Sequence, residues 1–170
     1  MLHHLIPEEV AEGSLLPNLL YYEPRTAHGS SLSPGIHASL FARAWRLEDA
    51  LRWLRVTTRI DLDDVGQSTA GGLHLAAMGS VWQALAFGFA GVRPRGAALH
   101  IDPRLPDAWR ALELRLRFRG SRVALRIEPE QTVVRASPPV RVVPAAGRAE
   151  VADERGARFA IRSRNEAGTP

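Results

Sequence analysis

Residues 60–91 read IDLDDVGQSTAGGLHLAAMGSVWQALAFGFAG. The acids Asp61, Asp63 and Asp64 come first. A polar, glycine-bearing loop from Gly66 to Gly72 follows, and a long apolar segment begins beside His74. No formal charge lies between Asp64 and Arg93. The pattern reads as a loop feeding the N-terminus of a helix buried on most sides. The first amides of a helix lack intrahelical acceptors, and its peptide dipoles sum to a positive end there, so such a loop suits an anion. Glycines, His74 and Gln83 interrupt the apolar run, and its clean part is shorter than the roughly 20 residues a bilayer span needs. A core helix is expected, with Trp82 inside it, and no membrane association.

Upstream, two further helices are expected. Ile36, Leu40 and Ala44 share one stripe of a helix over 36–45, with Phe41 and Trp45 beside it. Leu47-Glu48-Asp49 opens a second helix through about Thr58, with acids in its first turn and Ala50, Leu51, Leu54 and Thr58 facing one way. A close connection around Arg46 makes them an antiparallel helical hairpin. His28 to Gly35 is a turn-rich loop before the first of these helices. Residues 1–27 are poorly patterned. Pro7-Glu8-Glu9 looks like a helix start, and Pro17 interrupts the helical spacing of Leu15, Leu16, Leu19 and Leu20.

Downstream of Gly91 the period changes. Ala98–Ile101 reads as a short strand. Leu112, Leu114, Leu116 and Phe118 alternate with Glu113, Arg115, Arg117 and Arg119, the mark of a half-buried antiparallel strand. Gly120-Ser121 reads as a two-residue type II′ hairpin loop, with a return strand carrying Val123, Leu125 and Ile127. Further short strands are expected at 132–136, 140–143, 149–151 and 157–161. The fold class is therefore α+β, helical first and β afterwards. A helical part over 1–92, a small antiparallel β-sheet domain over 93–162 and a disordered tail over 163–170 are expected.

Composition narrows the function classes. The chain has 170 residues, 45% hydrophobic and 24% charged, and no cysteine. It can bury a core, and it has neither a disulfide framework nor a thiolate metal site, which fits a cytoplasmic protein. The net charge of +4 rests on arginine. The arginines are spread along strands without a basic-aromatic module, so exposed faces explain them better than nucleic acid does. The start MLHHLIPEE lacks the charged and apolar regions of a signal peptide.

Several motifs in order resemble the C-terminal part of glycoside hydrolase family 65, which contains maltose, trehalose and kojibiose phosphorylases. They are Tyr21-Tyr22-Glu23-Pro24, His28-Gly29-Ser30-Ser31-Leu32-Ser33-Pro34, Arg59-Ile60-Asp61-Leu62-Asp63-Asp64, Gly72-Leu73-His74 with Met78 and Trp82, and Gly88-Phe89-Ala90-Gly91. In the β half, Asp102-Pro103-Arg104-Leu105-Pro106, Trp109 and Leu116-Arg117-Phe118-Arg119-Gly120 agree. The likeness covers roughly residues 7–136. It implies the last helices of an (α/α)6 barrel followed by a small antiparallel β-sheet. It also implies inverting phosphorolysis of an α-linked glucose disaccharide. An acid protonates the leaving oxygen, and inorganic phosphate attacks the anomeric carbon from the opposite face.

The resemblance assigns phosphate binding to Ser30, Ser31, Gly72 and His74. On pattern alone, the Gly-Ser-Ser loop would be a turn and cap, and His74 a core or capping histidine. Inorganic phosphate is the expected co-substrate, and no cofactor or metal is expected. The family's general acid lies upstream of the resembling stretch, so no catalytic residue is assigned here, and activity is expected to need a complementing chain or self-association. The alternatives are a non-catalytic remnant that contacts carbohydrate or protein, and a fragment of a family hydrolase. Asp61, Asp63 and Asp64 lack metal-loop spacing and read as caps or as partners of Arg59 or Arg55. His28 is expected to shape the serine loop.

Overall fold

A computed structural model describes residues 1–64, 67 and 69–162 of the chain. The expected tail at 163–170 and loop positions 65, 66 and 68 lie outside the described residues. The chain divides into two compact units, Met1–Gly88 and a second beginning at Phe89.

The first unit is helical. It contains α1 (Leu2–Leu5), α2 (Leu15–Tyr22), α3 (Ser33–Arg43), α4 (Leu47–Arg59) and α5 (Leu75–Gln83), with α5 continuing into a π-helical turn over Ala84–Phe89. Pro7–Glu9 forms a single 3-10 turn rather than a longer helix. Pro17 does not interrupt α2. It falls in the first turn, where its missing N–H has no intrahelical acceptor to lose.

Helix α3 is the centre of this unit, and Pro34 through Ala42 are buried apart from the half-buried His37. It ends in a Schellman turn. Arg46 N–H donates to Phe41 O at 2.9 Å and Trp45 N–H to Ala42 O at 3.1 Å, with Trp45 in the left-handed region at φ +60°. Arg46 O then accepts the Ala50 N–H at 2.9 Å, so α4 starts at once and runs back along α3. Ala50, Leu54 and Thr57 are its buried stripe.

Small residues set the α3–α5 contact. A Cβ on Gly35 would fall 2.2 Å from Ser80 Oγ, and one on Gly88 would fall 2.8 Å from Ser39 Cα. Earlier α3 residues therefore touch earlier residues of α5, and later ones touch the π turn. The two helices climb in the same direction, and their N-termini lie at the same end of the unit. Helix α5 is not buried on most sides. Its Ala77–Ser80–Ala84 edge is buried, while Leu75 is 73% exposed, Met78 46% and Trp82 44%. Trp82 is thus no core residue, because α3 and α4 cover one side of α5.

The second unit holds two four-stranded sheets rather than one. Strands β1 (Arg93–Arg95), β2 (Ala98–Ile101), β6 (Val140–Pro144) and β7 (Glu150–Ala152) form the first, in the order β1-β2-β6-β7, with β2 and β6 parallel. Strands β3 (Leu112–Phe118), β4 (Ser121–Ile127), β5 (Gln131–Ser137) and β8 (Ala157–Ala160) form the second, antiparallel throughout, in the order β3-β4-β5-β8. Its buried face carries Leu114, Phe118, Val123, Leu125, Ile127, Val134, Ala136 and Phe159, as the alternation requires.

Phe118 pairs with Ser121, so the hairpin loop is Arg119-Gly120 and not Gly120-Ser121. Both residues have positive φ, +49° and +84°. That is a type I′ turn, whose twist matches the strands it joins. Two of the motifs quoted above also meet here. Asp102 N–H donates to Gly91 O at 3.2 Å and Arg104 N–H to Phe89 O at 2.7 Å. A Cβ on Gly91 would stand 1.9 Å from Asp102 O, so only glycine fits.

Candidate functional site

The end of the first unit where α3 and α5 begin carries all four expected phosphate residues. Ser30 and Ser31 lie just ahead of α3, and Gly72 and His74 just ahead of α5. Each helix brings the positive end of its dipole to this side.

The serine loop is anchored from behind. His28 sits at φ +50°, its Nδ1 shares a hydrogen bond with Ser33 Oγ at 2.8 Å, and its ring stacks on Trp53 of α4 at 4.3 Å. His37, one turn into α3, lies edge-on to His28 at 4.8 Å and donates from Nδ1 to the Ser33 carbonyl at 2.9 Å. Burial holds His37 below the ordinary histidine value, against that hydrogen bond. Ser30 is exposed. Its Oγ accepts the Leu32 N–H at 3.3 Å and its carbonyl accepts the Ser33 N–H at 3.1 Å. An accepting hydroxyl keeps its own proton to donate. The Ser31 hydroxyl has no hydrogen-bond partner among the described residues.

On the other side, Gly72 is exposed at φ +131° and donates its N–H to Thr69 O at 3.0 Å. His74 is the N-cap residue of α5 and accepts the Ala77 N–H on its carbonyl at 2.9 Å. Its own amide donates to Asp61 Oδ2 at 3.0 Å, and its ring Nδ1 donates to Asp61 Oδ1 at 2.6 Å. One carboxylate thus fixes both the backbone and the ring of His74. Any contact of this ring with a substrate then runs through Nε2.

The three acids divide their work. Asp63 takes Arg59 on both oxygens, at 2.7 and 2.5 Å, the pairing expected from sequence. Asp64 Oδ1 accepts the Thr69 amide at 2.9 Å and its hydroxyl at 2.6 Å, which holds the start of the 3-10 turn over Thr69–Gly71. Asp61 as the partner of His74 was missed, because a separation of 13 residues across a loop leaves no periodic signal. Ser33 as the junction between His28 and α3 was missed for the opposite reason, since it reads as an ordinary helix start. Among the described residues, no group of three or more His, Asp or Glu could hold a metal, and no helix is long and apolar enough to cross a membrane.

The first unit thus presents a helical hairpin with a third helix parallel to its first arm, and the second unit a pair of four-stranded sheets. Comparison with known proteins makes this specific. Residues 1–83 match the glycosyl hydrolase family 65 central catalytic domain, and residues 92–145 match the family 65 C-terminal domain. The chain belongs to glycosyl hydrolase family 65. Kojibiose phosphorylase of Escherichia coli K12 is 39% identical over 140 residues, 82% of this chain and 18% of that protein. The alpha,alpha-trehalose phosphorylase of Thermoanaerobacter brockii is 35% identical over 133 residues, 78% of this chain and 17% of that one. A solved human-microbiome structure, provisionally named a kojibiose phosphorylase, superposes with a TM-score of 0.85 at 25% identity over 96% of this chain and 24% of its own. The chain thus spans less than a fifth of the length of these curated relatives. The architecture accordingly is α+β, the last barrel helices followed by the C-terminal β part.

Proposed function

We propose that this chain supplies the phosphate-holding side of an inverting α-glucoside phosphorylase site. The observation that carries the reading is the common end of α3 and α5, with Ser30 and Ser31 on one loop and Gly72 and His74 on the other. The serine hydroxyls and the Gly72 loop hold the anion, two helix dipoles favour its charge, and Asp61 sets the His74 ring so that Nε2 meets it. In the reaction, a phosphate oxygen bonds to the anomeric carbon as the glycosidic C–O bond breaks on the opposite face. A carboxylic acid contributed from outside these residues protonates the leaving oxygen. The products are a sugar 1-phosphate of inverted configuration and the free acceptor sugar. Phosphate needs aiming rather than activation, which is what two fixed loops provide.

The α5 stripe Leu75, Met78 and Trp82 supports completion of the site by further helices packed against it. These side chains are 73%, 46% and 44% exposed and follow one another along one side of the helix. An apolar stripe of this kind marks a surface to be covered.

Titration with inorganic phosphate, followed on the amides of Ser30, Ser31 and Gly72 by NMR, tests the binding half. Saturable shifts at both loops are expected, weakened roughly tenfold in His74→Gln. Silence at both loops would remove the assignment. The catalytic half is tested by adding a polypeptide that carries the remainder of the barrel and assaying sugar phosphate release from α-linked disaccharides. No release with any linkage would sink the complementation reading.

A further inference from the structure

On the exposed face of the β3-β4-β5-β8 sheet, Ala124 is surrounded by arginines. Arg115 of β3 and Arg135 of β5 are its partners across the two ladders. Arg122 and Arg126 are its same-face neighbours along β4. In the next row Arg117 stands directly opposite Arg122. All five arginines are exposed. Like charges set opposite one another weaken a ladder unless something negative covers them.

The same face shows what this sheet does with an arginine it uses internally. Arg126 is paired with Glu113 on the neighbouring strand and with Glu128 at 2.8 Å. Arg115, Arg117, Arg122 and Arg135 have no carboxylate partner among the described residues. These four line an open groove of about 570 Å³ together with Ala124, Ser137 and Glu154. Glu154 accepts a hydrogen bond from Ser137 Oγ at 2.6 Å. Gly156 leaves room for the stem of Arg135, whose Cγ would be 3.2 Å from a Cβ there.

We propose that this groove docks an extended acidic segment of a partner protein, with carboxylates at every second residue. Same-face positions on an extended chain repeat every 6.6–6.8 Å or so, which is the spacing of Arg115 from Arg117 and the spacing an alternating acidic strand would present. Guanidinium forks bind carboxylates two oxygens at a time, and covering the Arg117–Arg122 pair removes a repulsion inside the sheet. The small side chain of Ala124 leaves the middle of the groove open. A single-stranded nucleic acid fits less well, because no aromatic ring lines the groove for bases to stack on. One compact dianion also fits less well, because the arginines are distributed over three strands.

The test is fluorescence anisotropy with a labelled peptide of alternating Glu and Thr. A peptide of the same composition with its glutamates in one block, single-stranded DNA and duplex DNA are the comparisons. The expected result is salt-sensitive binding of the alternating peptide, tighter than of the block peptide. Affinity should fall at least tenfold in the combined variant Arg115→Gln, Arg122→Gln, Arg135→Gln. It should fall similarly in Ala124→Glu, which adds a second carboxylate, beside Glu154, at the centre of the groove, and stay unchanged in Arg148→Gln, an exposed arginine outside it. Thermal melting of each variant establishes that it is folded. Absence of peptide binding, equal binding by wild type and the groove variants, or tighter binding of either DNA would overturn the proposal.

Discussion

Asp61 accepts two hydrogen bonds from His74, one from the backbone amide at 3.0 Å and one from ring Nδ1 at 2.6 Å. The pair joins the end of α4 to the start of α5, so it acts on both the fold and the candidate site. Asp61→Ala removes both acceptors and should lower stability by about 1.5–3 kcal/mol, the range for hydrogen bonds to a charged group. Asp61→Asn keeps an acceptor and should lose less. Urea denaturation gives the stability. The Nδ1–H signal of His74 gives the orientation, and it should persist in wild type and vanish in Asp61→Ala. An unchanged signal would mean that the carboxylate does not set the ring.

The α3–α5 contact predicts a steric test. Gly35→Ala places a Cβ 2.2 Å from Ser80 Oγ and 2.6 Å from Ser80 Cβ. Overpacking of this kind costs about 1–3 kcal/mol, more than the helix propensity gained by losing a glycine. Since the Ser80 Cβ itself is in the way, Ser80→Ala should fail to rescue Gly35→Ala, whereas Ser80→Gly should restore part of the loss. Thermal melts of the three proteins decide it. Rescue by Ser80→Ala would place the helices further apart than described.

Much of this architecture can be read from local pattern. The alternation from Leu112 to Phe118 gave its strand with the right face buried, because a period of two admits one inward set. The α3 stripe and the tight link at Arg46 were equally plain, whereas on α4 the expected Thr58 is exposed and its neighbour Thr57 is buried with Ala50 and Leu54. What could not be read locally depended on partners distant in sequence. Leu75, Met78 and Trp82 look like core in a one-dimensional reading, since apolarity says that a side chain wants cover and not whether cover is there. The hairpin loop was shifted by one residue because Gly120 suits either turn type, and only the Phe118–Ser121 pairing selects between them. Ser30, Ser31, Gly72 and His74 were named through a family likeness. Their residue types alone would have made them caps and turns, which Ser30 and His74 also are.

The corrected turn makes its own prediction. Arg119 and Gly120 both have positive φ, so an L side chain at either position is strained. Arg119→Asn supplies the residue that type I′ turns favour at the first position and should stabilise the protein by about 0.5–1 kcal/mol. Gly120→Ala should destabilise it by about 1 kcal/mol or more. A type II′ loop at Gly120-Ser121 would instead make Arg119→Asn neutral, so the melting temperature of that one variant separates the two turns.

His37 gives stability a pH dependence of definite sign. Burial is the largest influence on it and lowers its affinity for a proton below the ordinary value of 6.5, and neighbouring His28 acts in the same direction. The Ser33 carbonyl and Glu23 oppose them. The unfolded chain therefore takes up a proton here at higher pH than the folded chain does. The stability tied to neutral His37 is fully present above about 6.5 and is lost progressively as pH falls toward the lower folded value. His3 and His100 are shifted in the same direction, mainly by burial, and add to the slope. Urea midpoints at pH 7.5 and 5.0 should differ for wild type and differ less for His37→Asn. Asparagine cannot charge, so that variant loses the part of the slope that belongs to this ring even though it starts from a lower midpoint. Equal slopes for the two proteins would assign the acid sensitivity to other groups.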